Sequence, residues 1–271
     1  MFENMVCYGD SELLIKNEIK DNFIHLIFTS PPYFNARPEY SVYDSYEEYK
    51  NKMRYIIKEC NRVLREGRFF IINSSPVIVP RKNRSCSSER IPIPFDLHNI
   101  IMEENFDFVE DIVWVKPDGA SKGRGRTFFK TRLPLSYKTE PVTEYIFVYR
   151  KKTKKLIDWN IKNDVDIVNK NKSLIKDGYE RTNVWKINPS RDKLHPAVFP
   201  LDLACKVVSY YSFVGDIVMD PFAGVGTTGE ACIFLDRKYI LIEKEKKYIK
   251  EIIKRMNKNI FLDDNIKYIN C

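Results

Sequence analysis

The 271 residues are 44% hydrophobic and carry 45 Lys+Arg against 37 Asp+Glu, a formal net charge of +8. That much apolar sequence can bury a sizeable core, and the positive balance favours a polyanionic partner wherever it is clustered. The start MFENMVCYGDSELL is acidic and interrupted, the six cysteines are scattered without a C-x-x-C pair, and no long apolar run occurs. These features point away from a signal peptide, a disulfide framework, a zinc or other metal site and a membrane span, and towards a reduced cytoplasmic protein.

Phe23 to Thr29 reads as a buried strand whose exit is stiffened by Ser30-Pro31-Pro32-Tyr33. A helix is predicted over Tyr46 to Leu64, where Met53, Ile56, Ile57, Cys60, Val63 and Leu64 recur at helical spacing. A strand at Phe69 to Asn73 and a helix at Asp96 to Glu103 follow. The runs FDFVEDIVWVK and PVTEYIFVYRK have the length of strands, but polar, glycine-bearing sequence separates them instead of a helix, which predicts an antiparallel pair at one sheet edge. From Lys151 to Leu194 the pattern weakens into Lys/Asn/Asp-rich sequence punctuated by Trp159, Tyr179 and Trp185, a loop-rich insertion. Helix Leu201 to Tyr211, strand Asp216 to Asp220, helix Thr228 to Leu235, strand Tyr239 to Ile242 and helix Lys244 to Met256 complete the chain. Strand alternating with helix predicts an α/β fold, a doubly wound, mostly parallel sheet covered on both faces.

Two stretches carry chemistry. In DIVMDPFAGVGTTGEA, Asp216 to Ala231, an apolar strand ends at Asp220, a turn holds Gly224 and Gly226, and Thr227-Thr228 opens a helix, the context of a nucleotide-type cofactor loop. Glu243 ends the next strand 17 residues after Gly226, close to the spacing at which an acidic side chain accepts from ribose hydroxyls. A third glycine, Gly229, completes a G-x-G-x-x-G spacing and no Gly-Lys-Ser/Thr follows, so the turn is not a P-loop, and a ribose-bearing cofactor without phosphates, such as S-adenosylmethionine, and a dinucleotide both stay open at this point.

FTSPPY at Phe28 to Tyr33 together with DPFAGVGTT at Asp220 to Thr228 resembles the two signature motifs of amino-methylating DNA methyltransferases. The catalytic motif comes first, then a basic stretch, then HPAVFPLDLACKVV leading into the cofactor motif, an order that resembles the β group of these enzymes. The resemblance runs from YGDSELL at Tyr8 to the helix after Glu243. It implies the S-adenosylmethionine-dependent methyltransferase fold, with residues 1–150 as the catalytic part, 151–194 as a target-recognition insertion and 195–271 as the cofactor-binding part of one domain. The implied cofactor residues are Asp10, Thr29, Phe199, Asp220, Pro221, Phe222, Ala223, Gly224, Gly226, Thr227, Thr228 and Glu243. For Asp10 a helix N-cap is an equal reading, for Phe199 a place in the core, and for His195 a structural role bonded to backbone.

An exocyclic base amine is a poor nucleophile because its lone pair is delocalised into the ring. Acceptors beside the NH2 group can bind its hydrogens and aim the lone pair at a methyl donor. The Ser30 hydroxyl and the Pro31 carbonyl are suited to this, Pro32 restricts the backbone, and Tyr33 offers a face on which a flipped base can stack. Six Lys/Arg and no acid lie between Lys122 and Lys138, and 12 basic against 3 acidic residues between Lys116 and Lys155. Lys122, Arg124, Arg126, Lys130 and Arg132, with Arg37 after the catalytic motif, are therefore candidates for phosphate contact with double-stranded DNA. The run Arg81 to Arg90 flanks the same cleft on this reading.

The expected activity is site-specific transfer of a methyl group to the N4 amine of cytosine, because Ser30 stands where adenine-specific relatives usually carry Asp or Asn. N6-adenine methylation is the alternative. A DNA-binding protein without turnover and a nicotinamide-dependent oxidoreductase are further readings, the last leaving Ser-Pro-Pro-Tyr unexplained. As partners beyond DNA the resemblance admits a cognate restriction endonuclease and a second copy of the chain.

Overall fold

A computed structural model describes residues 3–35, 43–79, 83, 85, 89–120, 141–190, 198–259 and 267–270. The chain runs β1 (Met5–Tyr8), α1 (Ser11–Glu18), β2 (Ile24–Thr29), α2 (Tyr46–Val63), β3 (Leu64–Ser74), β4 (Val77–Val79), β5 (Glu89–Ile91), α3 (Ile93–Glu103), β6 (Phe106–Val115) and β7 (Thr143–Lys151). It continues through α4 (Ile157–Asn163), α5 (Ile167–Lys172), β8 (Val184–Lys186), α6 (Leu201–Tyr211), β9 (Ile217–Asp220), α7 (Thr227–Phe234), β10 (Lys238–Glu243), α8 (Lys246–Asn259) and β11 (Lys267–Asn270). Among the described residues, no helix is long and apolar enough to cross a membrane.

Nine strands form one sheet in the order β11-β1-β10-β9-β2-β3-β7-β6-β8. The six from β11 to β3 are parallel, and β7 enters antiparallel between β3 and β6. Residues alternate between the faces of each strand, so each strand feeds two cores. Ile27, Phe70 and Ile72 face α1, α2 and α3 with Leu14, Met53, Ile56 and Leu97. Leu26, Phe28 and Ile71 face α6, α7 and α8 with Leu203, Val207, Cys232 and Ile252. The doubly wound expectation is met.

Local signals account for the best-read elements. Ser45 caps α2 by accepting from Glu48 N at 3.1 Å while the Glu48 carboxylate accepts from Asp44 N at 2.8 Å, a reciprocal arrangement that satisfies two backbone donors. The helix then buries Tyr49, Met53, Ile56, Ile57, Cys60 and Val63 on one stripe.

Two expectations change. The antiparallel pair forms, with Trp114 opposite Glu144, but it is not the edge: β8 adds parallel to β6, matching Val184 to Val113 and Lys186 to Val115. The strands β1 and β8, of four and three residues, carry too short a pattern to be read locally and exist through their neighbours' hydrogen bonds.

Candidate active site

All parallel strands from β1 to β3 end at the same edge of the sheet, so the residues after Tyr8, Thr29, Asp220 and Glu243 converge there. Ligands in open α/β sheets bind outside this edge where the winding reverses. Here β2 and β9 are adjacent, with helices from β2 covering one face and from β9 the other. A cleft of about 900 Å³, its open mouth included, lies over that point.

Ser30, Pro31, Pro32 and Tyr33 line this cleft together with Pro221, Phe222, Ala223, Gly224 and Thr227. Asp10, Phe199 and Glu243 close the sides. The two motifs, far apart in the chain, thus meet in one cleft. Gly224 and Gly226 adopt φ of 55° and 85°, the left-handed region that costs glycine little. A Cβ on Gly226 would also press on Ile252 at 3.2 Å.

Four of the residues predicted for cofactor contact stand behind the wall. Thr29, Asp220, Gly226 and Thr228 do not line the cleft. Asp220 is 1% exposed; it accepts from Thr29 Oγ1 and Thr228 Oγ1, both at 2.6 Å, and from Phe222 N at 3.0 Å. Burial pushes its carboxyl up to about 6 against these bonds. Its work is to lock the end of β2 to the glycine turn. Asp10 satisfies both readings given for it, capping α1 by accepting from Glu12 N at 2.9 Å and lining the cleft. Phe199 likewise lines the cleft and packs on Phe28 with ring centres 4.9 Å apart.

Glu243 accepts from Gly224 N at 2.9 Å and Glu245 N at 2.8 Å. Its side chain bends the carboxylate over the turn, and burial outweighs these bonds to push its pKa up to about 7. Ionised, it still has lone pairs for a ligand's hydroxyls. Thr227 Oγ1 is buried and has no hydrogen-bond partner among the described residues. Lys52 and Asp10 form an ion pair at 2.8 Å on the same wall. Burial would raise the Asp10 carboxyl, but the bond and charge of Lys52 and the Glu12 amide hold it below its ordinary value.

Sequence reading missed Ser11, Tyr43, Lys52, Val198, Val225, Ile242, Lys244 and Tyr248 as wall residues. Only Lys52 left a trace, a cation beside the start of the apolar stripe of α2; the others carry no local signature. Arg37, Lys122, Arg124, Arg126, Lys130, Arg132 and His195 lie outside the described residues.

The segment 151–194 is spread over both edges of the sheet. Its first half is anchored at the amino edge, away from the cleft, where Asn160 donates to Glu66 O at 3.0 Å, Lys155 pairs with Glu66 at 2.6 Å and Ser173 Oγ accepts from Val214 N at 2.8 Å. Helices α4 and α5 are therefore not brought to the cleft. Only with β8, whose Lys186 pairs with Val115, does the segment return to the cleft edge.

The doubly wound, mostly parallel sheet, with the Gly224 turn and Ser30-Pro31-Pro32-Tyr33 lining one cleft at its carboxyl edge, is the methyltransferase type of α/β fold. The DNA methylase family, which groups N6 and N4 methyltransferases, matches residues 24–255, and the chain belongs to that family. It is 31% identical over 254 residues to the type II beta methyltransferase M.BslI of Bacillus sp. (strain NEB-606), an alignment covering 89% of this chain and 26% of that protein. The chain thus spans about a quarter of that relative's length. Among solved structures, TTHA0409 of Thermus thermophilus, complexed with S-adenosyl-L-methionine, superposes with a TM-score of 0.70 at 22% identity over 98% of this chain and 100% of that one. The cytosine-N4-specific PvuII DNA methyltransferase does so at 0.66 and 21%, over 97% and 88%. At these identities the likeness is one of fold.

The Glu243 carboxyl sets a pH dependence. Its ionised form is the stronger acceptor for ligand hydroxyls and offers both oxygens, so affinity for a ribose-bearing cofactor is expected to rise as it ionises around pH 7. The folded pKa lies above the ordinary value of 4.5, so its contribution to stability is greatest below that value and declines as pH rises towards 7. Calorimetric titration across this range checks the first point; a flat profile, or one kept in Glu243→Gln, would assign the dependence elsewhere.

Proposed function

We propose that the protein transfers a methyl group from S-adenosylmethionine to the exocyclic N4 amine of a cytosine flipped out of duplex DNA. The observation that carries this is the meeting of Ser30-Pro31-Pro32-Tyr33 and the Gly224 turn in one cleft. The chain's groups fit the cofactor. Gly224 allows close approach of the turn backbone, Glu243 suits the ribose hydroxyls, and Thr227 Oγ1 is a buried hydroxyl awaiting a partner. The Asp10–Lys52 pair presents opposite charges to a zwitterionic amino-acid end. When bound, the cofactor supplies an electrophilic methyl on a sulfonium.

The chain supplies position. The Ser30 hydroxyl and Pro31 carbonyl accept the amine's two hydrogens, which turns the nitrogen lone pair out of the ring plane towards the methyl carbon. The N–C bond forms as the C–S pair returns to sulfur. A serine hydroxyl is no base at neutral pH, so the proton of the alkylated amine leaves to water. Tyr33 stacks on the extruded base. Duplex phosphates are held by Arg37, Lys122, Arg124, Arg126, Lys130 and Arg132, and base reading falls to the part of 151–194 from β8 onward. A restriction endonuclease of the same specificity and a homodimer are the further partners this reading admits.

Ser30→Ala is expected to lower turnover by on the order of 10²-fold, the loss seen when one transition-state hydrogen bond is removed, while calorimetric cofactor affinity is unchanged. The product test is digestion of duplex DNA, after incubation with enzyme and cofactor, followed by mass spectrometry of the nucleosides. N4-methylcytosine is the expected product. N6-methyladenine would reassign the base, and no methylated base in DNA of varied sequence would overturn the enzyme reading.

A further inference from the structure

On β3 and β7 and at the end of β6 sits a polar chain of groups, the buried Asn73 with the partly buried Glu144 and Lys116, that the proposed reaction has not used. In the β2–β3 register Phe28 pairs with Ile71 and Thr29, the last residue of β2, with Ile72, and carrying that register one residue further sets Ser30 beside Asn73. Parallel neighbours are about 4.8 Å apart, and paired residues project to the same face. Phe28 and Ile71 share one core with Phe199, and alternation along β3 places Asn73 on that side. Asn73 is 2% exposed, and its Oδ1 has no hydrogen-bond partner among the described residues.

The amide's other end is fixed. Asn73 Nδ2 donates to Glu144 Oε2 at 2.7 Å, and the Lys116 ammonium pairs with Glu144 Oε1 while lying over the Trp114 ring, 4.6 Å from its centre. A carboxylate accepts only, so it must face the NH2 of Asn73, and Oδ1 is forced to point the other way. A buried acceptor left open costs stability, and β3 carries this one at the catalytic edge.

We infer that Asn73 is a positioning residue for Ser30: when the hydroxyl engages the target amine its hydrogen turns to Asn73 Oδ1, a bond not made in this structure, which leaves the lone pairs of Ser30 Oγ turned to that amine. A serine hydroxyl has one hydrogen and two acceptor lone pairs. For it to act on an NH2 group purely as an acceptor, its own hydrogen needs another destination, and Asn73 Oδ1 is an open one on the adjacent strand. Glu144 and Lys116 set the amide's orientation and take no part in the chemistry. No covalent bond of Asn73 or Ser30 changes during transfer.

This rests on the proposed methyl transfer, and the test separates the two. Wild type and variants are assayed for turnover on duplex DNA with S-adenosylmethionine, with cofactor affinity by calorimetry and folding by thermal midpoint. Asn73→Leu is expected to lower kcat about tenfold, the worth of one hydrogen bond, with KM for DNA and cofactor affinity unchanged. In a Ser30→Ala background the same substitution is expected to change nothing, because the hydroxyl it serves is gone. Asn73→Asp sets two carboxylates together and loses turnover; adding Glu144→Gln restores a donor facing an acceptor and returns kcat to within a few-fold of wild type. That pair decides the matter if the leucine variant fails to fold. Undiminished kcat in Asn73→Leu, an equal loss with and without Ser30, or no recovery when Asn73→Asp is combined with Glu144→Gln would overturn the inference. A wild-type protein that transfers no methyl group would instead overturn the proposed function beneath it.

Discussion

Glu243→Ala is expected to weaken S-adenosylmethionine binding by on the order of 10²-fold, because hydrogen bonds to a charged acceptor are worth about 1.5–3 kcal/mol each. The same change removes the acceptor that holds Gly224 N at 2.9 Å and Glu245 N at 2.8 Å, so the turn loses its shape as well as its ligand contact. The fold is expected to survive, because removing a carboxylate that burial has pushed up to about 7 relieves a desolvation cost. Calorimetry with circular dichroism checks both parts. An affinity indistinguishable from wild type would take Glu243 out of the site.

Asp220→Ala is expected to act on stability, lowering it by about 3 kcal/mol. Thr29 Oγ1, Thr228 Oγ1 and Phe222 N all donate to this one carboxylate, and Thr29 and Thr228 are 2% and 0% exposed, so water does not replace it. For a domain of this size the thermal midpoint should fall by on the order of 10 °C. Asp220→Asn keeps an oxygen for Thr29 and Phe222 and lets the Thr228 hydroxyl turn to accept from the amide, so about 1 kcal/mol or less is expected. Because burial raises the folded pKa from 3.8 to about 6, the charge's contribution to stability falls as pH rises through that interval, and the asparagine variant should lose this slope. Equal midpoints for Ala and Asn would mean that the three donors find other acceptors.

The residues that were read well are those whose signal is local. Ser45 and Glu48 announce the start of α2, its apolar stripe announces the buried face, and the β-branched runs of β2, β9 and β10 end on the punctuation that places them at the ligand edge. Asp220 was legible as part of a motif but not in its role. That it faces two threonines, one 191 residues away, follows from β2 and β9 lying side by side, and no spacing in the chain encodes it. Lys52 is similar: on α2 it reads as a solvated cation, and it becomes part of the cleft because the packing of α1 on α2 brings Asp10 within 2.8 Å.

The insertion shows the opposite failure. Its Lys/Asn/Asp-rich composition reads as loop, and composition carries no direction, so nothing local indicates that residues 153–174 turn to the amino edge of the sheet. The bonds of Asn160, Lys155 and Ser173 to Glu66 and Val214 decide that.

By itself, then, the sequence determined the alternation of strands and helices, the two motifs, and the chemistry those motifs are suited to, because hydrophobic period, proline and glycine stereochemistry and side-chain type are properties of neighbours in the chain. Only the tertiary structure decided which motif residues face the cleft and which brace it from behind, that Asn73 on β3 bonds Glu144 on β7, and that α4 and α5 lie at the far edge. Strand order and register arise from pairing between segments distant in sequence. A side chain's partners across a parallel sheet are fixed by that pairing and by the burial it creates, which no single stretch of the chain contains.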